Sequence, residues 1–168
     1  MALVTTPGAA DADSYASLAD ATTYTGAHGL AWAGADADKE TALRRATAWI
    51  DATYRGRFPG ARLNGRSQAL EWPRRDAYDA AGEFIGSATI PGEVVAATCE
   101  AAVRELAVPG GLAPDVTPGQ VVKQEQVGPL SVTYAGRSDA AAFLPVVAVV
   151  DGLLSGLFAP GANYLLRA

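Results

Sequence analysis

The chain predicts a mainly α fold: a small antiparallel bundle of about four helices with one β-hairpin and a long ordered loop. Three observations carry this. Apolar residues recur at helical spacing in separate stretches bounded by Ser, Asp, Pro or Gly signals. Period-two alternation occurs at Leu130, Val132 and Tyr134, directly after Gly128-Pro129. Between two helical stretches, Gln68 to Val95 shows no clear period but holds Leu70, Trp72 and Pro73, and it reads as a connection pinned by Trp72.

The first 12 residues read as a loose arm. A helix start is expected at Asp13-Ser14, with Ser14 as cap and Tyr15, Leu18, Ala19 and Thr22 on one face, ending near Gly26 or Gly29. A second helix is expected from Asp36 or Asp38 to Tyr54. Its stripe is Leu43, Ala46, Thr47, Ile50 and Tyr54, with Arg44, Arg45 and Asp51 off it. The paired acids of the two Ala-Asp-Ala-Asp words read as helix caps rather than metal ligands. A third helix opens at Ile90-Pro91-Gly92-Glu93, carries Val95, Cys99, Ala102, Val103 and Leu106, and stops at Pro109-Gly110-Gly111. Val121–Val127 and Leu130–Tyr134 form the hairpin, which is too small to stand alone in water. A last helix opens at Pro145; its Val146, Val149, Val150, Leu153 and Leu157 face one way and Val147, Leu154 and Phe158 another. A helix apolar on most sides meets a partner as well as its own core. Tyr164, Leu165 and Leu166 make the tail 159–168 a docking peptide or a segment that folds back.

With 168 residues, the chain fits one domain, 1–168, with its own core. Charge is uneven. Residues 1–40 hold six acids against Lys39; residues 44–75 hold eight arginines against Asp51 and Glu71; residues 76–168 hold ten acids against four basic residues. The net charge of -5 is not that of a typical nucleic-acid binder. Arg55, Arg57, Arg62 and Arg66, with Phe58, have two readings: a grip on nucleic acid, or a surface for acidic partners or further copies. The acidic remainder favours the second.

No catalytic, metal or cofactor site is expected, and the chain reads as a non-enzyme. His28 is the one histidine and sits at a helix end; Cys99 is the one cysteine and reads as core. No phosphate loop, zinc spacing or calcium loop is present. The start lacks a signal-peptide pattern and the most apolar stretch is too short and broken to span a bilayer, so a soluble, cytoplasmically made protein without membrane contact is expected.

The segments DADSYASLADATTY, KETALRRATAWIDATYRGRFPG, QALEWPRRDAYDAAGEFI, IPGEVVAATCEAAVRELA and VKQEQVGPLSVTYAG together resemble a tailed-bacteriophage family. Its members carry the label DnaT-like single-stranded-DNA-binding protein and also look like head–tail adaptor (head-completion, connector) proteins. Gln68, Leu70, Trp72, Pro73 and Arg74, then Ile90 and Pro91, are its signature and structural anchor. The resemblance implies a virion protein in the neck between head and tail, in the host cytoplasm before assembly. It implies a homo-oligomeric ring, commonly a dodecamer, beneath the portal protein. Stopper or tail-completion proteins would lie beyond, and viral DNA would pass through the lumen. Arg55, Arg57, Arg62, Arg66, Arg75, Val122, Val132, Tyr134, Leu153, Leu157 and Phe158 are then the expected subunit or partner interface, and Tyr164, Leu165 and Leu166 the portal-docking tail. The alternative is a single-stranded-DNA-binding accessory protein that uses the Arg-rich segment 44–75, with Phe58 and Trp72 as stacking platforms. On the adaptor reading, Arg74 and Arg75 serve assembly rather than folding.

Overall fold

The computed structural model of the chain describes residues 2–114, 124–127, 130–133 and 147–158. The fold is mainly α, with four helices among the described residues: α1 Leu18–His28, α2 Asp36–Tyr54, α3 Gly92–Ala107 and α4 Ala148–Leu154. Short two-stranded antiparallel ladders complete it. β1 (Ala61–Arg62) pairs with β2 (Arg74–Arg75), β3 (Ala77–Tyr78) with β4 (Phe84–Ile85), and β5 (Gln124–Val127) with β6 (Leu130–Thr133).

α1 begins later than the expected Ser14. Ser17 and Asp20 form a reciprocal capping box: Asp20 N donates to Ser17 Oγ at 3.1 Å, and Ser17 N to Asp20 Oδ2 at 3.0 Å. Ser14 spends its hydroxyl on a tight turn at Ala16 instead, and Gly29, at φ 65, closes the helix. This displaces Tyr15 from the helix into the extended segment before it. Asp13 is not a helix cap either. Its carboxylate takes Val4 N at 2.8 Å and Arg44 Nε at 2.6 Å.

That contact also corrects the loose arm. Asp13 N donates to Val4 O at 2.9 Å, Asn64 Nδ2 to Gly8 O at 3.0 Å, and Ala69 N to Ala9 O at 3.2 Å. The arm therefore lies along the 64–69 loop. Gly8 sits at φ +76 with Asn64 Nδ2 only 2.9 Å from where a Cβ would be, so the approach needs glycine.

α2 buries Ala42, Leu43, Ala46, Thr47, Ile50, Asp51 and Tyr54, a stripe at helical spacing that includes the acid expected to lie off it. α3 buries Val94, Ala97, Thr98, Cys99, Ala101 and Ala102, while Val95 and Leu106 are only partly covered. Its apolar face is thus turned from the expected one toward the alanines. Pro91 sits at the cap position rather than inside the first turn. α3 packs between α2 and α4. Alanines bury little area each. The bulk of the core comes from Leu43, Ile50, Trp72, Val94, Val150 and Leu154.

α4 is shorter than the expected helix and passes at Ser155 into one 3-10 turn, Ser155–Leu157. β5 and β6, within the expected strands, pair antiparallel with Val127 opposite Leu130 and Gln124 opposite Thr133. Among the described residues they pair with no other strand.

Candidate functional site

The Gln68–Val95 stretch is held by a hub that begins at Tyr15. Placed outside α1, Tyr15 lies 3% exposed against α2. Its hydroxyl donates to the Asp51 carboxylate and accepts the N–H groups of Glu71 (3.0 Å) and Trp72 (3.1 Å). Asp51 Oδ2 accepts Glu71 N at 3.0 Å, and Tyr15 N donates to Thr47 Oγ1 at 3.3 Å. Burial pushes the Asp51 carboxyl up to about 6, against the hydrogen bonds from Tyr15 and Glu71 N–H, which favour its ionised form. Burial and the Asp51 charge raise the Tyr15 phenol, which keeps it a neutral donor. Clefts of about 410 and 420 Å³ run along α2 and the end of α3, and neither is lined by Tyr15 or Asp51. The hub is a lock on a loop.

The signature residues extend that lock. Trp72 is 1% exposed and meets Phe58 edge-on at 5.6 Å. Gln68 is buried; its Nε2 donates to Leu70 O (2.8 Å) and Pro73 O (3.0 Å), and its Oε1 accepts Asn64 N (3.3 Å). Pro73 follows a cis peptide bond and is fully buried. Leu70 and Ile90 pack against the core from its edge, and Pro91 is buried at the start of α3.

Arg74 belongs to this lock and not to an assembly surface, which corrects the expectation for it. It is 6% exposed. Its guanidinium donates to Pro59 O (2.6 Å), Gly60 O (2.9 Å) and the Glu71 carboxylate (2.8 Å). Each nitrogen of the planar fork meets an acceptor, which makes burying this charge tolerable. Gly60 has φ +66, and a Cβ there would stand 2.2 Å from Arg75 O, so the loop closes only on glycine.

The basic segment is largely consumed inside the chain. Arg44 holds Asp13 and Glu40, Arg45 holds Glu105 at 2.9 Å, and Arg62 lies 3.9 Å from Glu71 and donates to Gln68 O at 3.2 Å. Arg57 reaches Asp151 at 3.5 Å and lies 3.6 Å over the Phe158 ring. Arg55 folds back onto Asp51 O at 3.1 Å. Among the described residues, Arg55, Arg66 and Arg75 are exposed and hold no carboxylate. The stacking groove expected from Phe58 and Trp72 is not there: both rings are buried and face each other.

On α4, Leu157 and Phe158 are core residues of this chain, and Phe158 stacks on Tyr54 at 5.7 Å. That corrects their assignment to a partner surface. Leu153 is half-buried at the core edge, and Val149 is exposed. Val122, Tyr134, Tyr164, Leu165 and Leu166 lie outside the described residues, and Val132 is described only as backbone in β6.

Two features escape sequence reasoning. Asp51 looks like a solvated residue beside the stripe until the 70–73 loop is seen crossing it. Tyr78 and Phe84 form an exposed aromatic pair on the β3–β4 hairpin, 52% and 57% accessible. Their spacing about Asp79-Ala80-Ala81-Gly82-Glu83 is a hairpin signal that could have found them. Among the described residues no three His, Cys, Asp or Glu side chains gather as metal ligands, and no helix is long and apolar enough to cross a membrane.

A family model described as "Putative DnaT-like ssDNA binding protein" matches residues 1–168. No curated protein matches the chain, and no solved structure does.

Proposed function

The chain belongs to this DnaT-like family, and from its exposed surfaces we propose that it is a structural virion protein: a head–tail adaptor that forms a ring under the portal and lets DNA pass through its lumen. One observation carries the choice against a single-strand groove. Most of the groups that would grip a strand are already engaged, although Arg55, Arg66 and Arg75 stay exposed. Arg44, Arg45, Arg57, Arg62 and Arg74 hold carboxylates of their own chain, and Phe58 and Trp72 are buried. What remains outside suits protein contacts: an exposed aromatic pair, exposed Val108 and Val149, and a hairpin, β5–β6, with no further strand beside it among the described residues. In this reading the partners are further copies of the chain, the portal protein and the stopper or tail-completion proteins. The protein acts without a cofactor in the virion neck, and segment 159–168 docks on the portal.

The second reading is the one the family's description carries, single-stranded-DNA binding. Exposed Arg55, Arg66 and Arg75 favour it.

One pair of measurements separates them. The full chain is mixed with purified portal protein and imaged by negative-stain electron microscopy, then titrated with a fluorescent oligonucleotide across salt concentrations. The adaptor reading expects rings on the portal, and deletion of 162–168 should weaken attachment while leaving helix content unchanged. Micromolar oligonucleotide binding with a steep salt slope, and no portal complex, would replace it with the second reading.

A further inference from the structure

The β3–β4 hairpin is the most exposed apolar feature among the described residues that nothing in the chain uses. Its inner side is anchored: Ala77 is fully buried, Ile85 packs against the core, and Ala80 N donates to Gly156 O at 2.8 Å. Its turn is rigid, because Asp79 Oδ1 accepts both Ala81 N (2.9 Å) and Glu83 N (2.8 Å), and Asp79 N donates to Glu83 O at 2.9 Å. Its outer side presents Tyr78 and Phe84 edge-to-face at 5.6 Å. The two rings are therefore held in place before any partner arrives, which lowers the entropy lost on binding.

The charges around them choose the partner. Asp76, Asp79 and Glu83 are the ionisable groups of the stretch 76–85 besides Tyr78, and all three are acidic. A phosphate backbone is repelled there. A cationic surface is attracted, and an arginine can lie on either ring as Arg57 lies on Phe158. The chain itself carries three exposed arginines that hold no carboxylate among the described residues. Arg55 is folded onto Asp51 O and Arg75 directly adjoins the acidic stretch, which leaves Arg66, exposed in the Gly65–Ser67 turn.

We propose that the Tyr78–Phe84 hairpin docks on a second copy of this chain, at the turn bearing Arg66. The contact joins different patches of two copies. It is heterologous, and repeated copies close into a ring if the rotation allows. The proposal rests on the assembly reading above and names the surfaces it would use.

The test uses the full chain with two single variants, Ala81→Cys and Ser67→Cys, which sit in the same two turns and keep Glu83 and Arg66, alone and mixed, under mild oxidation. Cys99 is fully buried and stays out of the reaction. Cross-linked dimer in the mixture, about tenfold above either variant alone, is expected for surfaces that meet in this pairing. Equal yields in all three samples, or none, overturn it. Independently, Tyr78→Ser with Phe84→Ser changes only exposed side chains and should leave the melting temperature unchanged. It should weaken self-association by at least about tenfold in sedimentation velocity, as for loss of interface aromatics. Undiminished association overturns the proposal. If rings form on the portal without this cross-link, the hairpin assignment falls and the adaptor reading stands. If no assembly forms at all, both fall. Loss of oligonucleotide binding in the double variant, with self-association intact, reassigns the pair to base stacking.

Discussion

The Tyr15 hydroxyl donates to the Asp51 carboxylate while accepting the main-chain N–H groups of Glu71 and Trp72. One phenol thus joins the N-terminal segment, α2 and the signature loop. Tyr15→Phe removes the donor to Asp51 and leaves Trp72 N–H without its acceptor. A buried polar group left unpaired costs about 1–3 kcal/mol, so a loss of about 2–4 kcal/mol is expected in urea denaturation. A change under about 0.5 kcal/mol would mean that water replaces the hydroxyl and that the hub holds nothing.

The same hub gives a pH dependence with a definite sign. The folded Asp51 carboxyl stands at about 6 against an ordinary 3.8, chiefly because burial disfavours its charge. The folded state therefore binds this proton more tightly than the unfolded chain. The contribution of Asp51 to stability is greatest below about pH 4 and declines as pH rises through 4 to 6. The full effect is about 3 kcal/mol. It is checked as the difference between wild type and Asp51→Asn in denaturation series from pH 4 to pH 7. The difference should change across that window and be flat above it. A flat difference throughout would place the Asp51 carboxyl at its ordinary value.

Neighbouring arginines should behave oppositely. Arg74→Ala leaves the Glu71 carboxylate and the Pro59 and Gly60 carbonyls without their donor, and a loss of about 3–5 kcal/mol is expected. Arg74→Lys should rescue little, since a point charge cannot reproduce the fork. Arg75→Ala, on an exposed side chain, should stay within about 0.5 kcal/mol. Thermal melts of the three variants decide it. Equal losses at 74 and 75 would contradict the buried geometry.

Cys99 is fully buried, and burial with the nearby Asp20 and Glu100 charges pushes its thiol up to about 12. A thiol-disulfide reagent at pH 8 should therefore label the native chain only at the rate of opening, and denatured chain at once. Immediate labelling of folded protein would place Cys99 at the surface.

The parts legible in the sequence are those fixed by neighbours along the chain. α2 runs from Asp36 to Tyr54 as its first-turn acids and apolar stripe predict, α3 starts at Pro91-Gly92, and β5 and β6 pair antiparallel. Even the misplaced start of α1 has a local cause: Ser17 and Asp20 are a capping box, and Ser14 has no matching acid three residues on. The basic segment was legible as composition but not as a surface. Whether an arginine points to solvent or to a carboxylate depends on which distant residue arrives beside it.

Capping, periodicity and turn chemistry act within a few residues, so a mainly α chain, its longest helices and a Trp72-centred loop are legible from neighbours along the chain. The burial of Asp51 under Tyr15, the staple at Arg74, the edge-on meeting of Phe58 and Trp72, and the exposure of Tyr78 and Phe84 are set by distant segments. Tyr15 and Asp51 are 36 positions apart, Asp51 and Glu71 are 20 apart. Contacts at such separations form only when the whole chain has collapsed around one core, and no local pattern announces them.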